Sequence, residues 1–416
     1  MPDSEVPDGW RSSRLGLHLA AILGGGTPSR KVPEYWNGDI PWASVKDMKS
    51  RVLAGTEESI TRAGLDSGAT RTVPPGSIVL ATRMAIGSVA VTTTEIAINQ
   101  DLKALVPANG LDPRFLLHFL EQNATRLARW GTGTTVAGVR LDDVENLPLL
   151  LPAADEQRRI AEVLDSIDAV IEKTEAVIEA TERLRSALLH ELLTHGVPGW
   201  HTEWKDVPGI GTIPACWEVV RLGEVLADGP DNGLYKPESE YGSGVWIIRI
   251  TDFSPGRLDR TSFGRVRATL EEVRTYAVGE GNILINRVNS LSHIGKSVLL
   301  PQLAEPAIFE SNMMKIRVGE PVLPEYAIRV LCSPATRRYF LARAKKAVAQ
   351  ASINQTDVRQ LVMPLPTREE QNALVAAVAK LDERTAVEAQ TLTALTAAKS
   401  AVAAALMSGR VRVRMV

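Results

Sequence analysis

Residues able to do chemistry are present, but not in working sets. Asp101-Leu102-Lys103 has the spacing of the carboxylate and lysine that close a metal-dependent nuclease site. The acids that should precede it are missing, and the related Met314-Lys315 carries no carboxylate, so the pair reads as strand surface. Gly24-Gly25-Gly26-Thr27-Pro28 lacks the lysine and the following helix of a phosphate-binding loop and reads as a turn. Gly131-Thr132-Gly133-Thr134-Thr135 follows a basic helical turn with Arg126 and Arg129. Its amides and hydroxyls suit a phosphate contact, and it reads equally as an ordinary loop. His18, His118, His190, His195, His201 and His293 fall in no motif, and Cys216 and Cys332 have no paired spacing, so neither a disulfide framework nor a zinc site is indicated. GxxxxGK[ST], HExxH, an S-adenosylmethionine loop and a methylation motif of the Asn/Asp-Pro-Pro-aromatic type are all missing. The expectation is a chain with no catalytic residues, no metal site and no cofactor of its own.

Charge narrows the partners. The net charge is −2, which is weak for a free-standing nucleic-acid binder. The acidity sits in residues 155–195, with 5 Lys and Arg against 10 Asp and Glu. A DNA-binding role therefore requires basic residues gathered on one face, or partner subunits that neutralise phosphates. The start, Met1 to Trp10, is acidic and not followed by an apolar core, which disfavours a signal peptide. No apolar run reaches the roughly 18–20 residues that span a bilayer, so no membrane association and a cytoplasmic location are expected.

The chain is written twice, with a period of about 210 residues. Trp10 to Gly16 answers Trp217 to Gly223, and Ile40 to Asp47 answers Val245 to Asp252. Gly76 to Leu80 answers Gly281 to Ile285, and Gly87-Ser-Val89 answers Gly295-Lys-Ser-Val298. Asp112-Pro113 answers Leu323-Pro324. The sharpest match is Leu147 to Gln157 with Met363 to Gln371, since both lead through a Pro-Leu turn and Glu-Gln into a long amphipathic helix.

Each copy reads as a mixed α/β module. Pro74-Pro75-Gly76 and Gly279-Glu280-Gly281 are turns ahead of apolar strands. Helical spacing marks Arg114–Arg129 and Tyr326–Ala344. The first long helix should begin after Pro152, with Asp155 as N-cap, and carry the stripe Ile160, Leu164, Ile167, Ile171, Ile178, Leu184, Leu188 and Leu192 before stopping near Gly196. The second should begin at Thr367, with Glu370 completing a capping box. Its stripe alternates steps of four and three: Leu374, Val378, Leu381, Thr385, Glu388, Leu392, Leu395, Lys399, Val402 and Leu406. That is a coiled-coil seam. The expected fold is α/β (α+β), with domains at 1–152 and 197–366 and long helices at 153–196 and 367–416. The helices are expected to pair as an antiparallel coiled coil with pseudo-twofold symmetry.

This arrangement resembles the specificity subunit of Type I restriction–modification systems. The residues that carry the resemblance are Leu149–Gln157 with Ile160, Ala161 and Leu164, and Pro364–Gln371 with Val378 and Leu381. The second copy departs from the first, with Asn372-Ala373 in place of Arg158-Arg159 and no Gly-Thr-Thr before its last strand. The resemblance implies two target recognition domains, each reading half of a bipartite sequence in double-stranded DNA. It implies helices that set the gap between half-sites and dock two methyltransferase subunits, with restriction/translocase subunits joining. S-adenosylmethionine, ATP and Mg would belong to those partners. The Glu-Gln pairs Glu156, Gln157, Glu370 and Gln371 are then candidate docking residues. A non-catalytic protein-interaction scaffold is the competing reading.

Within that reading, base contacts need polar side chains on loops. The candidates in the first module are Arg30, Lys31, Lys46, Arg83, Thr132, Thr134 and Thr135. Those in the second are Arg249, Arg287, Asn289, His293, Lys345, Lys346, Gln350 and Asn354.

Overall fold

A computed structural model describes residues 6–131, 138–346 and 350–413. The chain divides into two compact units, Met1–Ala176 with Gln390–Val416, and Val177–Ala389. These cut across the boundaries expected from sequence. Each unit holds one module together with a segment of both long helices.

The two modules repeat one topology. In the first unit a five-stranded sheet runs in the order Leu19–Gly24, Leu102–Pro107, Ile78–Ala81, Val89–Thr92, Val52–Leu53. The second unit has Leu226–Asn232, Met313–Val318, Ile283–Asn286, Ser297–Leu299 in the same order. A second sheet places Glu58–Ile60, Trp36–Ala43, Ile96–Ile98 and Thr72–Val73 side by side, matched by Gly264–Val266, Tyr241–Ile248, Ala307–Phe309 and Ala277–Val278. The copies agree even in a bulge. Trp36 and Ile40 both oppose Ile60, and Tyr241 and Val245 both oppose Val266. Such an insertion bends the strand, and its repetition at one register is a strong mark of duplication.

A short ribbon closes each module. Arg11–Arg14 pairs with Pro148–Leu151, and Glu218–Arg221 with Val362–Leu365. The start of each module is thereby fixed beside the residues that enter its long helix.

The long helices run from Ala154 to His195 and from Arg368 to Met407. Thr367 is the N-cap, its hydroxyl accepting from the Glu370 amide, but the Glu370 carboxylate turns elsewhere and the box is half made. Asp155 is not a cap: it lies inside the first turn and pairs with Arg158, while the Ala153 carbonyl accepts the first amides. Gly196 and Gly409, both at positive φ, end the two helices.

Within each unit the helical segments are antiparallel. In the first, Ile160 and Leu164 share a core with Ala403 and Leu406, and Asp168 meets Lys399. In the second, Leu189, Leu192 and Leu193 share a core with Leu374 and Val378, and Arg185 meets Asp382. Numbers rise on one helix as they fall on the other. Every seam position expected on the second helix is buried or half-buried. On the first helix Leu184 is misplaced, being 58% exposed, and Thr181 and Arg185 take the inward side instead.

The helical pattern over Tyr326–Ala344 resolves into two helices, Pro324–Leu331 and Pro334–Arg343. Pro334 cannot donate to the preceding turn, and the Ser333 hydroxyl caps the new helix by accepting from the Thr336 amide.

Candidate nucleic-acid interface

At the junction of module and helix, the Glu-Gln pair does the same work twice. The Trp10 indole N–H donates to Glu156 at 2.9 Å, and that of Trp217 to Glu370 at 2.7 Å. The Gln157 carbonyl accepts from the Asp112 amide at 2.8 Å, and its amide donates to Gly110 and Pro152. Gln371 does likewise with Leu323, Pro321 and Pro366. The other partners of the glutamate differ: Arg412 at Glu156, His201 and the Val197 amide at Glu370. All four residues are buried and committed to bonds inside the chain. Their geometry serves to lock module to helix, and it leaves their polar atoms little to offer a docking partner.

The helix segments carry ions at equivalent places. Lys399 Nζ lies 2.6 Å from Asp168 and 3.0 Å from Glu121, and Arg51 bonds both carboxylates. In the second unit Asp382 takes Arg185 and Arg329. Burial works to raise the Glu121 carboxyl, but the His118 hydrogen bond and the charges of Arg51 and Lys399 hold it down to about 2. His118, Glu121 and Asp168 have ligand atoms within 4.8 Å of one another, the spacing of a metal site. Arg51 and Lys399 already supply the positive charge there, so the cluster is a closed ion network.

The DNA candidates divide into those free at loops and those used internally. Arg30 pairs with Glu58 and lies 3.7 Å over the Trp36 ring. Arg249 donates to Asp252 and the Ser262 carbonyl. Asn354 caps helix Gln355–Arg359. These three have structural duties. Asp47 and Asp252 also match: each accepts from an amide three residues back, Ser44 and Arg249, and fixes the turn after its strand. Lys31, Lys46 and Arg83 are exposed. Thr132, Thr134 and Thr135 lie outside the described residues.

In the second unit a small sheet gathers several candidates. Val288–Asn289 pairs with Ala351–Ser352, which pairs with Lys345–Lys346. Arg287 precedes the first strand, and its carbonyl accepts from Ile353. Exposed Gln350 lies beside the middle strand, and His293 stands 2.9 Å from the hydroxyls of Ser290 and Ser292. Arg287 is half-buried, with one guanidinium N–H donating to Ser311. The first unit has the same pairing in reduced form, Arg83 bridging Gly138 and Thr82 accepting from Val139.

Lys103 belongs to the same neighbourhood. Burial and then the nearby charge of Arg83 lower its ammonium pKa. Its counterpart Lys315 is partnered by Asp228 and Asp231. Lys103 is half-buried on its strand, and its like-charged neighbour is a tertiary fact that no spacing reveals.

The model for the Type I restriction modification DNA specificity domain matches residues 7–183 and 214–397. The chain belongs to this family. Its two matched segments are the two copies of the repeat. The MjaIX specificity subunit of Methanocaldococcus jannaschii is 27% identical over 242 residues, which is 57% of this chain and 55% of that protein, so the match spans about half its length. The MjaVIII subunit of the same organism is 25% identical across 98% of this chain and 94% of its own. The EcoKI specificity subunit of Escherichia coli K12 is 22% identical across 92% and 84%. Among solved structures, one described under complex assembly and conformational transition of the type I R-M system covers 98% of this chain and all of its own, with a TM-score of 0.56 and 19% identity. The type I S subunit from M. genitalium covers 99% of both, with a TM-score of 0.52 and 14% identity. These two likenesses concern the fold. Among the described residues, no helix is long and apolar enough to cross a membrane.

Proposed function

We propose that each module of this specificity-family chain reads one half of a bipartite target in double-stranded DNA. The long helices set the spacing and dock two methyltransferase subunits, and restriction/translocase subunits complete the assembly. S-adenosylmethionine, ATP and Mg belong to those partners, and this chain supplies recognition alone, within the cytoplasm. One observation carries the reading: a common scaffold, repeated to the level of a bulge, presents different polar loops in its two copies. Selection that holds strands and varies loops is what two readers of different sequences require. The cationic strand Lys345–Lys346, one strand removed from Asn289 across Ala351–Ser352, suits phosphate contacts, and Asn289 suits a base contact.

The test is co-expression with a methyltransferase subunit and sequencing-based mapping of methylated adenines. A bipartite motif supports the proposal; co-purification without sequence-specific methylation favours the scaffold. Exchanging residues 212–360 for another module should alter one half of the motif only. Adding or removing helical turns within 155–195 should alter the spacer.

A further inference from the structure

One hairpin recurs at the same place in both units and ends in an exposed hydrocarbon side chain. In the first unit it joins strands Ile78–Ala81 and Val89–Thr92, and its tip carries Met84, 72% exposed. In the second it joins Ile283–Asn286 and Ser297–Leu299 and carries Leu291, 41% exposed. Both hairpins are held at the base. The amides of Gly87 and Gly295 donate back to Ala81 and Asn286. Both glycines have positive φ, and an added Cβ would meet Ala124 Oat 2.9 Å or Phe340 at 2.4 Å. Each hairpin is thus pressed against a helix with no room for a side chain.

Met84 is unusual on two counts. It is a long apolar residue left in water, and its φ of +62° is a region that side-chain-bearing residues avoid. Its neighbour Arg83 is exposed and bridges Gly138, and the charge of Arg83 adds to burial in lowering the Lys103 pKa. Leu291 stands in the turn between Ser290 and Ser292, just after the strand Val288–Asn289, whose sheet ends in Lys345–Lys346. Apolar tips set among polar loops, with Arg83 next to one and Lys345–Lys346 on the sheet that leads to the other, fit a surface that is anionic outside and apolar at points within. In the major groove of DNA the apolar point is the thymine C5-methyl group.

We propose that Met84 and Leu291 are specificity-determining residues, each packing its hydrocarbon end against a thymine methyl in its own half-site. This rests on the DNA reading above. It adds an apolar discrimination of A·T pairs to the polar contacts expected there.

The experiment uses the full chain co-purified with its methyltransferase subunit and a duplex bearing the mapped motif. Each thymine is replaced in turn by deoxyuridine, which lacks only the methyl group, and affinity is read by fluorescence anisotropy. One thymine per half-site should matter, by about fourfold, the value of one buried methyl-sized group. Met84→Gln should lose a similar factor on the thymine duplex and become indifferent to uracil in the first half-site only. Leu291→Gln should do so in the second. Met84→Ala repeats the first test without a new polar group. A complex that fails to prefer its motif over a scrambled duplex overturns the DNA reading and this inference together. A motif-preferring complex that ignores every uracil, or whose uracil sensitivity survives Met84→Gln and Leu291→Gln, or a half-site with no A·T pair, overturns this inference alone.

Discussion

The Trp10 indole N–H and the Glu156 carboxylate are hydrogen-bonded at 2.9 Å, and Trp217 repeats the bond to Glu370 at 2.7 Å. Each bond joins the first residues of a module to the first turn of the helix that leaves it. Both carboxylates are buried, so losing a donor costs more than an exposed bond would. Trp217→Phe should lower stability by about 2 kcal/mol in urea unfolding. Trp10→Phe should cost less, because Arg412 holds Glu156 through both oxygens. Equal losses would argue that ring packing, not the N–H, is what matters.

Asp168 and Asp382 are the shared anions of equivalent ion clusters. Asp168→Asn leaves Arg51 and Lys399 facing each other with only Glu121 between them. A loss of about 3 kcal/mol is expected, as for a broken buried pair. Adding Lys399→Met should restore part of it, since the repulsion is then relieved. Thermal denaturation of the single and double variants checks both points.

Glu121 makes stability depend on acid. Its folded carboxyl, held at about 2 by His118, Arg51 and Lys399 against the pull of burial, lies below its ordinary value near 4.5. A depressed folded value means the contribution is complete above the unfolded pKa and is lost as pH falls from there toward 2. The amount is about 3 kcal/mol. Unfolding measured between pH 5 and 2 should show this slope, and Glu121→Gln should flatten it.

Lys345 and Lys346 are exposed and belong to the small sheet with Ala351–Ser352 and Val288–Asn289. Replacing both with alanine should weaken binding to all duplexes alike and reduce the slope of log affinity against log salt by about 2. Asn289→Ala should instead relax preference at one base pair with the salt slope unchanged. Salt titrations on matched and mismatched duplexes separate the two.

Gly295→Ala should misplace the second hairpin while leaving the unit folded. The added methyl meets the Phe340 ring, and the backbone is at positive φ. Motif preference in the second half-site should fall more than tenfold, with the first half-site untouched, when methylation is mapped on duplexes mutated in either half.

Local and periodic features were legible in the sequence. The duplication, the strands after Gly76 and Gly281, and the seam from Leu374 to Leu406 depend on turn residues and on spacing along one helix, so they can be read in one dimension. The family membership follows from the same pattern. Tertiary structure decided what the polar residues are for. Glu156, Gln157, Glu370 and Gln371 look like surface groups on a helix start, yet they are buried because the ribbons Arg11–Arg14 and Glu218–Arg221 bring distant chain over them. Arg30 looks like a free reader, and its partner Glu58 is set by folding; Arg249 and Asn354 are instead occupied by Asp252 and Asp357 three residues on, a spacing visible along the chain. Leu184 fits an apolar stripe but faces water, because the inward side of the first helix is fixed by ion pairs such as Arg185 with Asp382. Hydrophobic period declares which elements form; which face and which polar atom are left for DNA depends on contacts between residues far apart in the chain.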